Sequence, residues 1–409
     1  MVSVCFYFHV HQPYRLRNYT VFDIGQKHDY FDKRKNLEIL DKVSKKCYIP
    51  MNNLIMSMIH NHDFKAAFSF SGVVLEQFEE YAPDVLQSFQ DLVKTGNVEI
   101  LDETYYHSLA FMYSKKEFVE QVKMHRKKIF ELFKYKPEVF RNTELIYNND
   151  VAKLAEEMGY KGVLAEGADH VLGWRSPNFL YRPKGTSDIK LLLKNYRLSD
   201  DIAFRFSNRG WKEWPLSVEK YVKWLNAANG NGNTVNLFMD YETFGEHQWS
   251  STGIFQFMSA LPAAILNHPD NNFKTPSELI KSYDIQAELD IPDIMSWADL
   301  ERDVSAWLGN KMQQSSIKEL YMIEKDILAT HDEKLISDWR NLQISDHFYY
   351  MCTKWFSDGD VHKYFNPYDN PYDGFITFMN VFNDIVIRLR EHKAKVETTK
   401  VFQEAKSTS

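Results

Sequence analysis

Residues 236–249 read NLFMDYETFGEHQW. Val235, Leu237, Phe238 and Met239 form an apolar run that stops at Asp240. A short apolar run ending at a carboxylate predicts a buried strand opening into a loop. In α/β proteins ligands bind at that end of the strands. Asp240, Glu242, Glu246 and His247 crowd the loop, with Tyr241, Phe244 and Trp249 among them. Such a mixture suits a sugar or nucleotide cleft better than a solvated polar turn.

The same pattern recurs on both sides of this stretch. Val2–Val10 is β-branched and aromatic, a buried-strand profile, and runs into HVHQP at 9–13. Strand alternation puts His9 and His11 on one side. There they would meet a metal or, the better reading, a substrate's hydroxyl groups. Further strands are expected at 65–70, at 98–101 with Glu99 inside it, at 137–140 before Arg141 and Glu144, and at 161–165 before Glu166. Another at 191–193 leads to Asp200, Asp201 and Arg205, an arginine that suits substrate binding or, nearly as well, an ordinary surface ion pair. Helical spacing fills 33–62, 76–95, 115–133, 150–158 and 214–228. Strand, polar loop and helix in alternation predict a parallel α/β sheet or barrel. About seven strands, several ending in an acid or histidine, favour a barrel with its site at the carboxyl end.

The composition shifts near residue 266. HPDNN at 268–272 marks a boundary, and three long helices are expected at 299–330, 332–355 and 374–393. The domains are therefore read as a barrel over 1–265 and a helical region over 266–409. The Asp-rich stretch 358–374 lacks calcium-loop spacing and is read as a structured loop.

A chain of 409 residues with 44% hydrophobic content can build a sizeable core. The 15% aromatic share suits carbohydrate, and a net charge of −7 argues against nucleic acid. Cys5, Cys47 and Cys352 lack the spacing of a disulfide framework or a zinc site. The opening MVSVCFYFHV has no basic region or cleavage signature, and no apolar run approaches membrane-spanning length. These features predict a cytoplasmic protein without membrane contact. Neither GxGxxG nor GxxxxGK[ST] occurs, which weakens nucleotide-binding alternatives; no cofactor and no resident metal is expected.

Two strand-end carboxylates stand out, Glu144 and Asp240. Glycoside hydrolysis requires such a pair, although Asp102, Glu103, Glu166, Asp200, Asp201, Glu242 and Glu246 compete on pattern alone. HVHQP at 9–13, GNVEIL at 96–101, FRNTEL at 140–145, DYETFGEH at 240–247 and DVSAWLGNKMQ at 303–313 resemble, in order, the five motifs of glycoside hydrolase family 57. The first and third look most like its archaeal-type α-amylase subgroup. The resemblance implies an incomplete (β/α)7 barrel followed by a carboxy-terminal helical region. It implies a retaining α-glucan hydrolase, an α-amylase cleaving α-1,4 bonds by double displacement, with a maltooligosaccharide or glucan as partner.

By motif, Glu144 matches the nucleophile and Asp240 the general acid/base. His9, His11 and Glu99 match residues lining the −1 subsite. Asp303, Trp307 and Gln313 would close the site from the helical region, Trp307 as a stacking platform ahead of a plain core tryptophan, since its helical spacing suits either. Trp249 is expected to bind substrate, and its burial of Asp240 together with Tyr241 and Phe244 is expected to raise that carboxyl's pKa. Two features depart from the usual motifs: Phe140-Arg141-Asn142-Thr143 precedes the nucleophile where many members carry Trp, and Tyr241 stands where Gly is commoner. A 4-α-glucanotransferase on the same scaffold, a metal-dependent polysaccharide deacetylase using His9 and His11, and a non-catalytic glucan-binding protein are the alternatives.

Overall fold

The computed structural model describes residues 2–354 and 366–407, so 358–365 of the expected loop lies outside the described residues. The chain divides into two compact units. The first comprises Met1–Gln12, Leu37–Tyr105 and Val119–Asp303; the second comprises Pro13–Asn36, Tyr106–Phe118 and Val304–Ser409.

Ten strands build the first unit: β1 (Val2–Val10), β2 (Ala66–Phe70), β3 (Val98–Ile100), β4 (Val139–Arg141), β5 (Gly162–Glu166), β6 (Tyr181–Pro183), β7 (Lys190–Lys194), β8 (Thr234–Asp240), β9 (Asn271–Phe273) and β10 (Ala287–Leu289). They form two hydrogen-bonded sheets, β3-β2-β1-β8 with β9 on β1, and β10-β6-β7-β5-β4. Sparse contacts join the sheets at two seams. At one, Asp102 N donates to Val139 O (3.1 Å) and Arg141 N to Asp102 O (2.9 Å). At the other, Asn236 Nδ2 donates to Leu193 O (2.8 Å) and Asn195 N to Asn236 O (2.8 Å). The result is a ring in chain order, β1-β2-β3-β4-β5-β7-β8, its ladders all parallel. Seven strands with helices between them match the expected incomplete barrel.

Alternation along each strand decides what faces inward. Cys5, Tyr7, Ala67, Leu101, Val139, Leu164, Leu192 and Phe238 pack one buried cluster inside the ring. Their neighbours Phe6, Phe8, Phe68, Val235 and Leu237 pack outward in a larger cluster with the helix layer. Burial on both faces is why these strands are apolar almost throughout. On the inward face the last residues turn polar: His9, Arg141, Glu166, Lys194 and Asp240. The chemistry therefore collects at the carboxyl end.

Some element boundaries differ from expectation. The break expected at residue 265 falls inside the first unit, because β9 pairs with β1 over Val2, Ser3 and Val4. The short β6, β9 and β10 carry too few residues to show a period. The expected helix at 76–95 is two, Gly72–Tyr81 and Pro83–Lys94, since Pro83 starts a new helix more readily than it continues one.

The second unit is helical. The expected helix at 299–330 is three short ones, Ser305–Leu308, Lys311–Met322 and Glu324–Leu328. Asn310 interrupts them by capping the second, its Oδ1 accepting from Gln313 N at 3.0 Å. The long helix Pro371–Ser407 holds the segment 13–36 through buried Asp384. Asp384 accepts from Gly25 N at 2.6 Å and from Tyr30 Oη, and contacts His28 Nδ1 at 2.7 Å. Among the described residues no helix is long and apolar enough to cross a membrane.

Candidate active site at the carboxyl end of the ring

Three buried charges from the ends of β1, β3 and β4 form the floor. His9 ends the inward face of β1, Arg141 ends β4, and Glu103 follows β3. One Glu103 oxygen lies 3.2 Å from both His9 Nε2 and Arg141 Nη1. Burial works to raise the Glu103 carboxyl, but the two cations overcome it and hold the pKa below the ordinary value. Burial and Arg141 oppose a charge on His9, yet Glu103 and Asp240 outweigh them and push its pKa up to about 9. His9 is thus an imidazolium near neutral pH, its Nδ1 3.5 Å from Asp240 Oδ1. His11 stacks on His9 at 5.9 Å, its Nδ1 2.6 Å from Ser71 Oγ.

The two expected catalytic carboxylates share this mouth. Asp240 closes β8 beside His9, with which it is paired in register. Its side chain is 42% exposed. Glu144 sits three residues beyond β4 on a single turn, Thr143–Leu145. Glu144 and Leu145 both have left-handed backbone, φ 56° and 50°. That costs non-glycine residues roughly 1–2 kcal/mol each, strain of the kind found at functional sites. Burial and the Asp240 charge raise the Glu144 pKa to about 7 against the opposing pull of Arg141, Trp297 and His9.

Asp240 does not behave as expected. Burial raises its pKa, but the His9 hydrogen bond and charge, with His247 and Arg141, prevail and lower it. Tyr241 and Phe244 supply no desolvating wall. The turn Tyr241–Thr243 sends both into the outer core, where Phe8 lies 5.2 and 5.6 Å from their rings. Gly245 then passes the backbone of Lys46 so closely that a Cβ would lie 1.9 Å from its carbonyl oxygen, which excludes any larger residue. Glu242 turns behind the mouth, accepting from Tyr48 Oη at 2.5 Å. Burial and Asp240 raise its pKa to about 7. Glu246 turns outward to Lys42 and Lys46.

The remaining expected substrate residues scatter. Glu99 lies inside the ring, its carboxylate accepting from Ser277 N (2.8 Å) and Ser277 Oγ (2.5 Å) at the start of helix Pro276–Ser282. Arg205 is an ordinary ion pair, Nε to Asp201 Oδ1 at 2.6 Å, and also donates to Arg197 O. Trp249 is 57% exposed and edges a surface pocket of about 830 Å³ with Lys45, Lys46, Pro50, Leu54 and Phe255. Asp303 accepts at its backbone oxygen from Ser296 Oγ. In the second unit Trp307 is buried against Tyr349. Gln313 spends its amide on Ala306 O, Phe348 O and Asn310 N.

The sequence reading missed Trp297, Lys194 and Arg302 altogether. Trp297 Nε1 donates to Glu144 Oε2 at 2.7 Å. Arg141 and Lys194 approach its ring at 5.1 and 5.4 Å. Lys194 and Arg302 bind the buried acids Glu166 and Asp200, at 3.5 and 3.1 Å for Lys194 and 3.4 and 3.1 Å for Arg302. Lys194 was legible from the inward period of β7; Trp297 and Arg302 lie in an aperiodic loop that offers no such signal.

The chain is similar to known proteins over most of its length. The model of glycosyl hydrolase family 57 matches residues 5–292. A putative alpha-amylase of Methanocaldococcus jannaschii is 45% identical over 412 residues, 97% of this chain and 87% of that protein. The alpha-amylase of Pyrococcus furiosus is 22% identical over 51% of this chain and 30% of its own length. Among solved structures, the 4-alpha-glucanotransferase of Thermococcus litoralis superposes with a TM-score of 0.67 at 17% identity, covering 85% of this chain and 56% of that one. A GH57-type branching enzyme of Pyrococcus horikoshii gives 0.66 at 16% identity over 93% and 88%. At such identities the structures show a shared fold.

Proposed function

The chain belongs to glycosyl hydrolase family 57, and from that premise we propose that it is an α-amylase-type enzyme cleaving α-1,4-glucosidic bonds with retention. The observation that carries this reading is that two carboxylates end neighbouring parts of one polar mouth, Asp240 3.5 Å from His9 and Glu144 2.7 Å from the Trp297 indole that Arg141 faces. In double displacement Glu144 attacks the anomeric carbon while Asp240 protonates the departing oxygen. Asp240 then takes a proton from the water that releases the sugar.

This assignment needs charge on Glu144 and the proton on Asp240, whereas the resting site favours the reverse. The pair titrates as a unit. A bound glucan that excludes water from the half-exposed Asp240 raises its pKa by desolvation. Arg141, His9 and the Trp297 indole remain to hold the charge on Glu144. The buried cysteines Cys5, Cys47 and Cys352 support a reducing, cytoplasmic setting.

Incubation of the protein with pure maltoheptaose, with and without chelator, tests the reading. Shorter sugars released initially as α-anomers are expected in both. Products longer than the substrate would make the protein a glucanotransferase. β-Anomers would overturn retention, and loss of activity with chelator would overturn metal independence. Azide separates the two roles. Glu144→Ala rescued by azide should yield a β-glycosyl azide and Asp240→Ala an α-glycosyl azide; the converse would exchange the assignments.

A further inference from the structure

Trp297 contacts Glu144 at both ends of that residue. Its indole Nε1 donates to the carboxylate at 2.7 Å, and its backbone N donates to the Glu144 carbonyl oxygen at 3.3 Å. Glu144 also has left-handed backbone. Such a conformation persists only where its surroundings over-determine it. Trp297 is in turn fixed from behind. Arg302 Nη1 donates to the Trp297 carbonyl oxygen at 2.5 Å, and Arg302 is anchored on buried Glu166 and Asp200. The Arg141 and Lys194 cations lie against the indole ring, which favours them through its negative face. The buried charges Glu166, Lys194 and Asp200, with the partly buried Arg302, converge on this tryptophan.

We propose that Trp297 is a positioning residue that clamps Glu144 at its carbonyl and its carboxylate, with the Glu166–Lys194–Asp200–Arg302 cluster as the anchor of the clamp. The proposal rests on Glu144 being the nucleophile and explains how one strained residue holds a fixed aim. The indole N–H stabilises the ionised carboxylate, acting with Arg141 from β4 and His9 from β1 and against Asp240 from β8. Its donor geometry is independent of pH, since an indole does not titrate in this range.

The test is Trp297→Phe, which keeps a ring for the two cations and removes the side-chain donor. Hydrogen bonds to charged groups imply a fall in kcat/KM of about 10- to 100-fold at pH 6. KM should change little, and the acid limb of the pH–rate profile should move to higher pH. Carboxyl 13C NMR gives a readout without turnover: a Glu144 resonance, identified by its loss in Glu144→Gln, should titrate near 7 in the wild type and higher in Trp297→Phe. An unshifted titration in the folded variant overturns the clamp. If Trp297→Phe fails to fold, indole 15N spectra of the wild type and Glu144→Gln decide. One indole resonance should titrate in the former and cease to titrate in the latter, and its absence overturns the proposal. A wild type inert toward glucans would fail the functional reading, while both NMR readouts would still test the clamp.

Discussion

Glu99 and Glu103 are four residues apart, and both are buried, at 2% and 0% exposure. Their surroundings make them opposites. Glu99 lies deeper in the ring, and its partners are neutral donors, Ser277 and Thr275, at a helix start. These hydrogen bonds satisfy the carboxylate without cancelling the cost of desolvation, so burial leaves its pKa raised. Glu103 faces the mouth, where His9 and Arg141 oppose the same cost and leave its pKa lowered. Burial alone therefore says little about a carboxylate. The charge of its partners decides whether it is a structural acceptor or part of an electrostatic site.

The sharpest break between the two ends should be in turnover. On the proposed roles of Glu144 as nucleophile and Asp240 as acid/base, Glu144→Gln and Asp240→Asn should each lower kcat by about 10³-fold or more. Glu99→Gln should stay within a few-fold of wild type in the same glucan assay. Equal inactivity of Glu99→Gln would dissolve the contrast and return Glu99 to the substrate site.

Stability should separate the two glutamates next. Glu103→Gln strands two buried cations, and loss of one partner of a buried pair costs roughly 3–5 kcal/mol. Glu99→Gln keeps its size and an acceptor oxygen, and should cost about 1 kcal/mol. Urea unfolding of both variants at pH 7 measures the difference, and similar midpoints would mean that the His9 and Arg141 contacts carry little energy.

Smaller, but opposite in sign, is the pH dependence. Glu103 has its pKa lowered from 4.5, so its contribution is present above about that pH and is lost as pH falls through the folded value. His9 has its pKa raised from 6.5 to about 9, so its contribution is full below 6.5 and is lost as pH rises through 9. Glu99, with its pKa raised from 4.5, loses stability as pH rises. Urea midpoints should therefore be higher at pH 5.5 than at pH 9.5, and His9→Gln should flatten that decline. An undiminished decline in His9→Gln would place its source elsewhere.

The smallest effect belongs to Arg205. It makes a partly exposed pair with Asp201, and such pairs contribute about 0–1 kcal/mol. Arg205→Ala should leave kcat/KM within about two-fold of wild type. A large rise in KM would restore its role as a substrate-binding residue.

The amino-acid sequence by itself determined the ring and its active end. Apolar runs such as Val2–Val10 and Thr234–Asp240 are local signals, because period-two alternation puts successive residues on opposite faces. The polar ends at His9, Arg141 and Asp240 were visible for the same reason. Only the tertiary structure decided what those ends do. Closure of the ring brought His9, Glu103, Arg141, Glu144 and Asp240 together from four separate segments, and the charge of His9 lowered the Asp240 pKa that local aromatics were expected to raise. It also brought Trp297, 153 positions from Glu144 in an aperiodic loop, onto the carboxylate. Hydrogen bonds and Coulomb forces act over a few ångströms of space, whereas periodicity reports only on neighbours along the chain. The fold was therefore legible residue by residue, and the ionisation of its site was not.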